Sequence, residues 1–320
     1  MKKKGTITLL CLFLLSALLI TAACSSETTS TPTPAATSTQ TTYPVVVTDL
    51  LGRSVQISKL PTRIVTTSPT ATETLYKVGG TAVGRDSGSK YPPEVGNVTP
   101  VGSAYNINTE AIAGLNPDLI IIEALTQESA ISSLEKIGVP IIAVRAASVA
   151  DIDQSLTLLG KVVDRNKAAA QAVANINDRI ATAQGNSTGG KSVLIFIVDQ
   201  NRMVNAAKPE SYAGAIAALL NLSNLAKGLP DNGYFDGYTL FTSEQALTSN
   251  PDVVFAISPA PAPAPRLSTL LPQMPGFKEM NAVKAGRVVE LDPVLFLQAQ
   301  GPRIADAVEE MLRLMNEVAS

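Results

Sequence analysis

Hydrophobic and polar positions divide the chain into blocks of different rhythm. Residues 1–24 place lysines at positions 2 to 4 ahead of an almost unbroken apolar run from Ile7 to Ala23, the charged-then-apolar order of a secretory signal. That run is short for a bilayer span. Residues 25–42 are almost wholly Ser, Thr, Pro, Ala and Gln with one charge at Glu27, too polar to bury a core, and read as a disordered stalk. From Val45 onward, short apolar runs alternate with turns and helical patterns. Val45-Val46-Val47 and Val55-Gln56-Ile57 flank Asp49 to Arg53 as a small hairpin, and Arg63-Ile64-Val65 opens a buried strand that Ser68-Pro69-Thr70 breaks. Glu73 to Val78 then predicts a short helix ended by Gly79-Gly80. Strands at Asp118 to Ile122 and Pro140 to Val144, separated by a helix around Glu128 to Ile137, extend an α/β alternation that argues for a mainly parallel sheet.

From Val149 to Gln184 the pattern is helical only, with Ala172, Ile176 and Ile180 recurring on one face. A second alternating block follows. It has strands at Val193 to Val198 and Asp252 to Ile257, helices around Tyr212 to Leu220 and Glu244 to Thr248, and a final helix from Arg303 to Val318. The predicted division is an N-terminal α/β lobe over 43–147, a bridging helical segment over 148–186 and a C-terminal α/β lobe over 187–320. A joint made of helix permits little hinge bending.

An internal repeat supports two lobes. Asn108-Thr109-Glu110 precedes Asn116-Pro117-Asp118 in the first, and Thr242-Ser243-Glu244 precedes Asn250-Pro251-Asp252 in the second. With Thr109 and Ser243 as N-caps, each glutamate falls in the first turn of a short helix that stops before Asn-Pro and delivers a strand.

Composition narrows the chemistry. Net charge is -2, and no run of Lys or Arg follows the signal, so nucleic acid is not an expected partner. Histidine is absent, which removes the usual general base and the commonest zinc ligand. The chain also lacks a Gly-x-Ser-x-Gly nucleophile elbow, and no enzyme activity, cofactor or metal site is expected. The two cysteines are Cys11 within the signal and Cys24 at its end, so the mature body carries no disulfide and needs a full core, which 45% hydrophobic residues supply. Leu19-Ile20-Thr21-Ala22-Ala23-Cys24 resembles the lipobox of bacterial lipoproteins, with Thr21 in the place usually held by leucine, and implies a lipid on Cys24. Gly185 to Ser192 satisfies the Walker A expression, but it follows a helix and precedes a strand, the reverse of a phosphate-binding loop, and reads as a Gly/Ser linker.

Asp49-Leu50-Leu51-Gly52-Arg53, Arg63-Ile64-Val65, Pro69, Thr72-Glu73, both Asn-Pro-Asp segments, Ala282 to Val288 and Gly301-Pro302-Arg303-Ile304 together resemble the substrate-binding proteins of ABC importers for iron complexes and vitamin B12. The resemblance covers Val45 to the end. It implies an α/β protein of two Rossmann-like lobes bridged by a long α-helix, with a ligand cleft between them. It further implies a monomeric, lipid-anchored receptor outside the cytoplasm that delivers a ferric chelate or corrinoid to a permease dimer and its ATPase. Glu110 and Glu244 match the glutamates that dock on that permease. Alternative readings are an exported enzyme on the same fold, or a surface sensory or adhesion module.

Open α/β sheets bind ligands at the carboxyl ends of their strands. That rule selects Ser68-Pro69-Thr70, Arg85 to Pro93, Ser103 to Tyr105, Gln200-Asn201-Arg202, Tyr234 to Tyr238, and Leu295-Phe296. Tyr91, Tyr105, Tyr238 and Phe296 offer aromatic faces, and Tyr91-Pro92-Pro93 resembles the matching stretch of the vitamin B12-binding member. Arg85 and Arg202 are the arginines in these loops, which leans toward a near-neutral ligand rather than a catecholate chelate. Pro259 to Pro265 is an extended, stiff Pro/Ala loop.

Overall fold

The computed structural model describes residues 40–199, 201–233, 236–298 and 300–319. The signal, Thr21, Cys24, most of the stalk, Gln200 and Tyr234 lie outside the described residues. A leading hairpin, β1 (Val45–Thr48) and β2 (Ser54–Ile57), precedes the first lobe. That lobe then runs β3 (Ile64–Thr66), α1 (Pro69–Lys77), β4 (Gly84–Arg85), β5 (Thr99–Pro100), β6 (Gly102–Ser103), β7 (Asn106–Ile107), α2 (Thr109–Gly114), β8 (Leu119–Glu123), α3 (Ile131–Leu134) and β9 (Ile141–Val144). Its sheet is parallel throughout, in the order β5-β4-β3-β8-β9.

Helices α4 (Val149–Val162) and α5 (Asn166–Asn186) lead to the second lobe. It comprises β10 (Ser192–Val198), β11 (Val204–Ala207), α6 (Tyr212–Leu219), β12 (Ser223–Asn224), β13 (Tyr238–Leu240), α7 (Ser243–Thr248), β14 (Val253–Ile257), α8 (Leu267–Leu270), α9 (Asn281–Lys284), β15 (Val288–Leu291) and α10 (Ile304–Ala319). The strand order is β13-β11-β10-β14-β15, with β12 also on β10. Strands β10, β14 and β15 are parallel, while β11 runs antiparallel to both β10 and β13.

Alternation along the central strands assigns each sheet face to a different core. Leu119 and Ile121 of β8 and Val253, Phe255 and Ile257 of β14 belong to one continuous core that also contains Ala172, Ile176 and Ile180 of α5. The intervening Ile120 and Ile122 face a core private to the first lobe. Val254 and Ala256 face one private to the second, where Phe196, Phe241 and Phe277 meet with centroids 5.0 to 6.3 Å apart. Strands buried on both faces explain the unbroken apolar runs read from the sequence. The shared core, built on the α4–α5 layer, welds the lobes instead of hanging them on a linker.

Four local details differ from the sequence reading. The helical segment 148–186 is two helices: Asp164 takes a positive φ of 53°, and Gly160 lies so close to α5 that a Cβ there would stand 2.3 Å from the Ala169 Cβ. Helix α1 begins at Pro69 rather than Glu73, because the Ser68 side chain accepts from Ala71 N at 3.1 Å and proline fits the first helical position. The stretch from Glu128 to Ile137 holds only α3 between two 3₁₀ turns, since its Ser-Ser pair favours helix weakly. The caps of α2 and α7 are Asn108 and Thr242, one residue earlier than Thr109 and Ser243. Gly185 to Ser192 does join a helix end to a strand start, as the reversed context required.

The motifs are structural fasteners. Asp49, 4% exposed, accepts from Leu51 N at 3.0 Å, Arg53 N at 2.9 Å and Ala143 N at 3.1 Å, clasping the leading hairpin to the edge of β9. The Asp118 carboxylate accepts from the amides of Thr62 and Arg63 at 2.9 and 2.8 Å, holding the start of β3. Asp252 does the same for β10, accepting from Ser192 N at 2.7 Å and Ser192 Oγ at 2.8 Å. Each Asn-Pro-Asp therefore ties the strand it delivers to the first strand of its sheet.

Candidate ligand cleft and docking face

Parallel strands bring the loops after β3, β4, β8, β10, β14 and β15 to the carboxyl edges of their sheets. The two lobes touch where α1 meets the segment before α10. Thr70 Oγ1 donates to the Gln300 carbonyl at 2.9 Å, and Arg303 forms a fork with Glu73, Nε and Nη2 each 2.8 Å from a carboxylate oxygen. Burial raises the Glu73 carboxyl above its usual range, against the pull of the Arg303 hydrogen bonds and charge. The Tyr212 hydroxyl is buried at this joint, and burial pushes it up as well, against an opposing hydrogen bond with the Gly301 backbone.

Large apolar side chains stand exposed on four of these loops and on the β6–β7 hairpin. Tyr91, Tyr105 and Leu125 belong to the first lobe, and Met203 and Val294 to the second. Tyr105 is 91% exposed, at the tip of the β6–β7 hairpin. That hairpin is held by Gln127, a buried amide whose Nε2 donates to the carbonyls of Ala104 and Thr67, both at 2.8 Å, and whose Oε1 accepts from Thr67 Oγ1 at 2.8 Å and Glu123 N at 2.9 Å. All four valences of the amide are filled, so it fixes three loops at once. The loop bearing Tyr91 is fastened through the buried Asp86, which accepts from Gly88 N at 2.8 Å and from Ser89 Oγ, and the Ser89 and Thr72 hydroxyl oxygens lie 2.9 Å apart. Burial raises the Asp86 carboxyl, with the Ser89 and Gly88 hydrogen bonds opposing.

Sequence-selected residues divide into three groups. Pro69, Thr70 and Tyr91 come together at the inter-lobe joint, Tyr91 under the Arg303 guanidinium at 4.5 Å from its ring centroid. Tyr105 and Arg202 are exposed on cleft loops, Arg202 with a positive φ of 62°. Arg85, Tyr238 and Phe296 point elsewhere. The Arg85 guanidinium is buried and donates to the carbonyls of Val95 at 2.7 Å and Asp86 at 2.8 Å, closing its own loop. Tyr238 stands at the amino end of β13, half-buried beside Ser211, because β11 reverses the chain and leaves Leu240 nearer the carboxyl edge. Phe296 is fully buried in the shared core, inside a π-helical turn at Val294–Gln298. Sequence reasoning missed Gln127, Glu73 with Arg303, Leu125 and Met203. It also passed over Lys90, an exposed cation in the Tyr91 loop. Only position in the chain, which makes Leu125 and Met203 the first large apolar residues past β8 and β10, carried a signal for any of them.

Glu110 and Glu244 occupy the same position, the second residue of α2 and of α7, both exposed. Helices that feed parallel strands begin at the carboxyl edge, so both carboxylates stand on the cleft side of their lobes. Backbone hydrogen bonding at the helix start, with the Thr242 side chain, holds Glu244 below the usual carboxylate range. Among the described residues no group of three or more His, Cys, Asp or Glu is placed to hold a metal. No described helix is long and apolar enough to cross a membrane.

Two α/β lobes joined through a common core, with aromatic and aliphatic side chains exposed on loops of both, are the architecture of a two-lobed binding protein. The chain belongs to the periplasmic binding protein family, whose sequence profile matches residues 64–295. It is 27% identical over 280 residues to the uncharacterized ABC transporter substrate-binding lipoprotein YvrC of Bacillus subtilis strain 168, covering 84% of each chain. It is 25% identical over 279 residues to the cobalamin-binding protein of Halobacterium salinarum, covering 86% of this chain and 74% of that one. Its fold matches the crystal structure of the petrobactin-binding protein YclQ from Bacillus subtilis with a TM-score of 0.71, at 21% identity, over 86% of this chain and 98% of that one.

Proposed function

We propose that this protein is the solute receptor of an ABC importer, a monomer held outside the cytoplasm by a lipid on Cys24, which captures a corrinoid or ferric chelate and performs no chemistry on it. The observation that carries the ligand class is the set of exposed apolar side chains, Tyr91, Tyr105, Leu125, Met203 and Val294, on loops of both lobes. An apolar, aromatic lining suits a large, weakly charged ligand. Arg85 spends its charge on carbonyls, which leaves Arg202 and Lys90 as exposed cations of these loops and favours a near-neutral corrinoid or hydroxamate chelate over a polyanionic catecholate. The relatives named above for ABC transport and for cobalamin support the same class. Glu110 and Glu244 are the permease-docking residues. Titration of the purified protein with cyanocobalamin, a ferric hydroxamate, a ferric catecholate and haem, followed by ligand absorbance or calorimetry, is the test. One of the first two is expected to bind most tightly, and tightest binding of the catecholate or haem, or binding of none, overturns the ligand class.

A further inference from the structure

Among the described residues, Glu73–Arg303 is the one ion pair that runs directly from the first lobe to the second. Its side chains are 5% and 15% exposed, so it is a desolvated contact and not a solvated surface pair. Guanidinium is planar, and its edge and its face do different work. The edge is consumed by the two Glu73 oxygens; the face lies over the Tyr91 ring. Tyr91 itself stays 43% exposed. Thr70, on the same helix as Glu73, adds the hydrogen bond to Gln300. One side chain of the second lobe thus grips the first lobe through α1 and, separately, the cleft loop that follows β4.

We propose that Arg303 is the positioning residue for Tyr91: it fixes the angle at which the ring presents its exposed surface to ligand, and it joins that ring to the attachment between the lobes. The inference rests on reading the cleft as the ligand site. A flat ligand stacked on Tyr91 is then held by a ring whose reverse side is anchored to both lobes, which lowers the conformational cost of binding.

Lysine separates this role from a merely structural one, since Arg303→Lys retains the charge for Glu73 but has no flat face for the ring. The first measurement needs no ligand. Amide hydrogen exchange of the full chain is expected to quicken several-fold in the loop 86–98 of Arg303→Lys, while β8 and β14 keep their protection; unchanged exchange in that loop overturns the proposal. The second uses whichever of cyanocobalamin, ferric hydroxamate, ferric catecholate or haem binds the unaltered chain. Tyr91→Ala, a half-exposed change that leaves the core intact, and Arg303→Lys are each expected to weaken binding by about tenfold, and the double variant by no more than Tyr91→Ala alone. Independent, multiplying losses overturn the proposal. If the unaltered chain binds none of the four probes, the proposed ligand class fails while the exchange result still decides the role of Arg303.

Discussion

Three aromatic residues show how differently one residue type is used here. Phe296 fills the shared core, so Phe296→Ala is expected to cost about 3–5 kcal/mol in chemical denaturation by lost burial and an unfilled cavity. Tyr105, almost fully exposed, is the converse: Tyr105→Ala is expected to leave stability within about 0.5 kcal/mol and to weaken ligand binding. Tyr212 keeps a buried hydroxyl against the Gly301 backbone, and Tyr212→Phe is expected to cost about 1 kcal/mol through the lost hydrogen bond. A melting temperature unchanged by Tyr212→Phe would show that the hydroxyl is not used. None of these distinctions was legible in the sequence. An aromatic next to a strand end reads the same whether it turns inward or outward, and Phe296 turns inward only because the chain coils into a π-helical turn there. Tyr91 was legible as an aromatic in a cleft loop, but not its partner Arg303, more than two hundred residues away in the chain.

Elements were far more legible than side-chain directions. Runs such as Leu119 to Ile122 and Val253 to Ile257 are buried on both faces, and only a sheet covered on both sides buries strands that way. The repeated Asn-Pro-Asp marked equivalent strands, and its purpose is the fastening of Thr62 and Ser192. What stayed illegible depends on pairing: β11 reverses against β10, which moved Tyr238 away from the cleft edge, and the α4–α5 corner turns at an aspartate and a close glycine contact that helical periodicity does not encode. The Asp252 fastener has a pH signature. Ser192 hydrogen bonds hold its carboxyl below the ordinary value, so its contribution is complete above the unfolded carboxylate pKa of about 3.9 and is lost as pH falls below that toward the folded value. Asp252→Asn is therefore expected to shed part of the acid-side loss of stability, read as a shallower decline of the unfolding midpoint between neutral pH and about pH 3. An identical decline in both proteins would assign acid sensitivity to other groups.

At the scale of the molecule, the continuous core through both lobes and α5 governs what docking requires. On the proposed docking role of Glu110 and Glu244, the core shared by both lobes ties the two carboxylates into one body, and a two-fold permease would read the distance between them. Exposed ion pairs contribute about 1 kcal/mol or less each, too little to hold a complex singly, but two on one rigid body act together through effective concentration. Uptake of ligand by cells is accordingly expected to fall partially in Glu110→Ala or Glu244→Ala and to be lost in the double variant, while titration of each purified variant gives unchanged ligand affinity. On the proposed lipidation of Cys24, the tether would raise the local concentration of receptor at the importer, so removal of the lipid site is expected to deepen the defect of each single variant more than it slows uptake by the unaltered chain. Normal uptake by the double variant would remove the docking role from both glutamates and leave their shared helix position to the favourable placement of a carboxylate at a helix start.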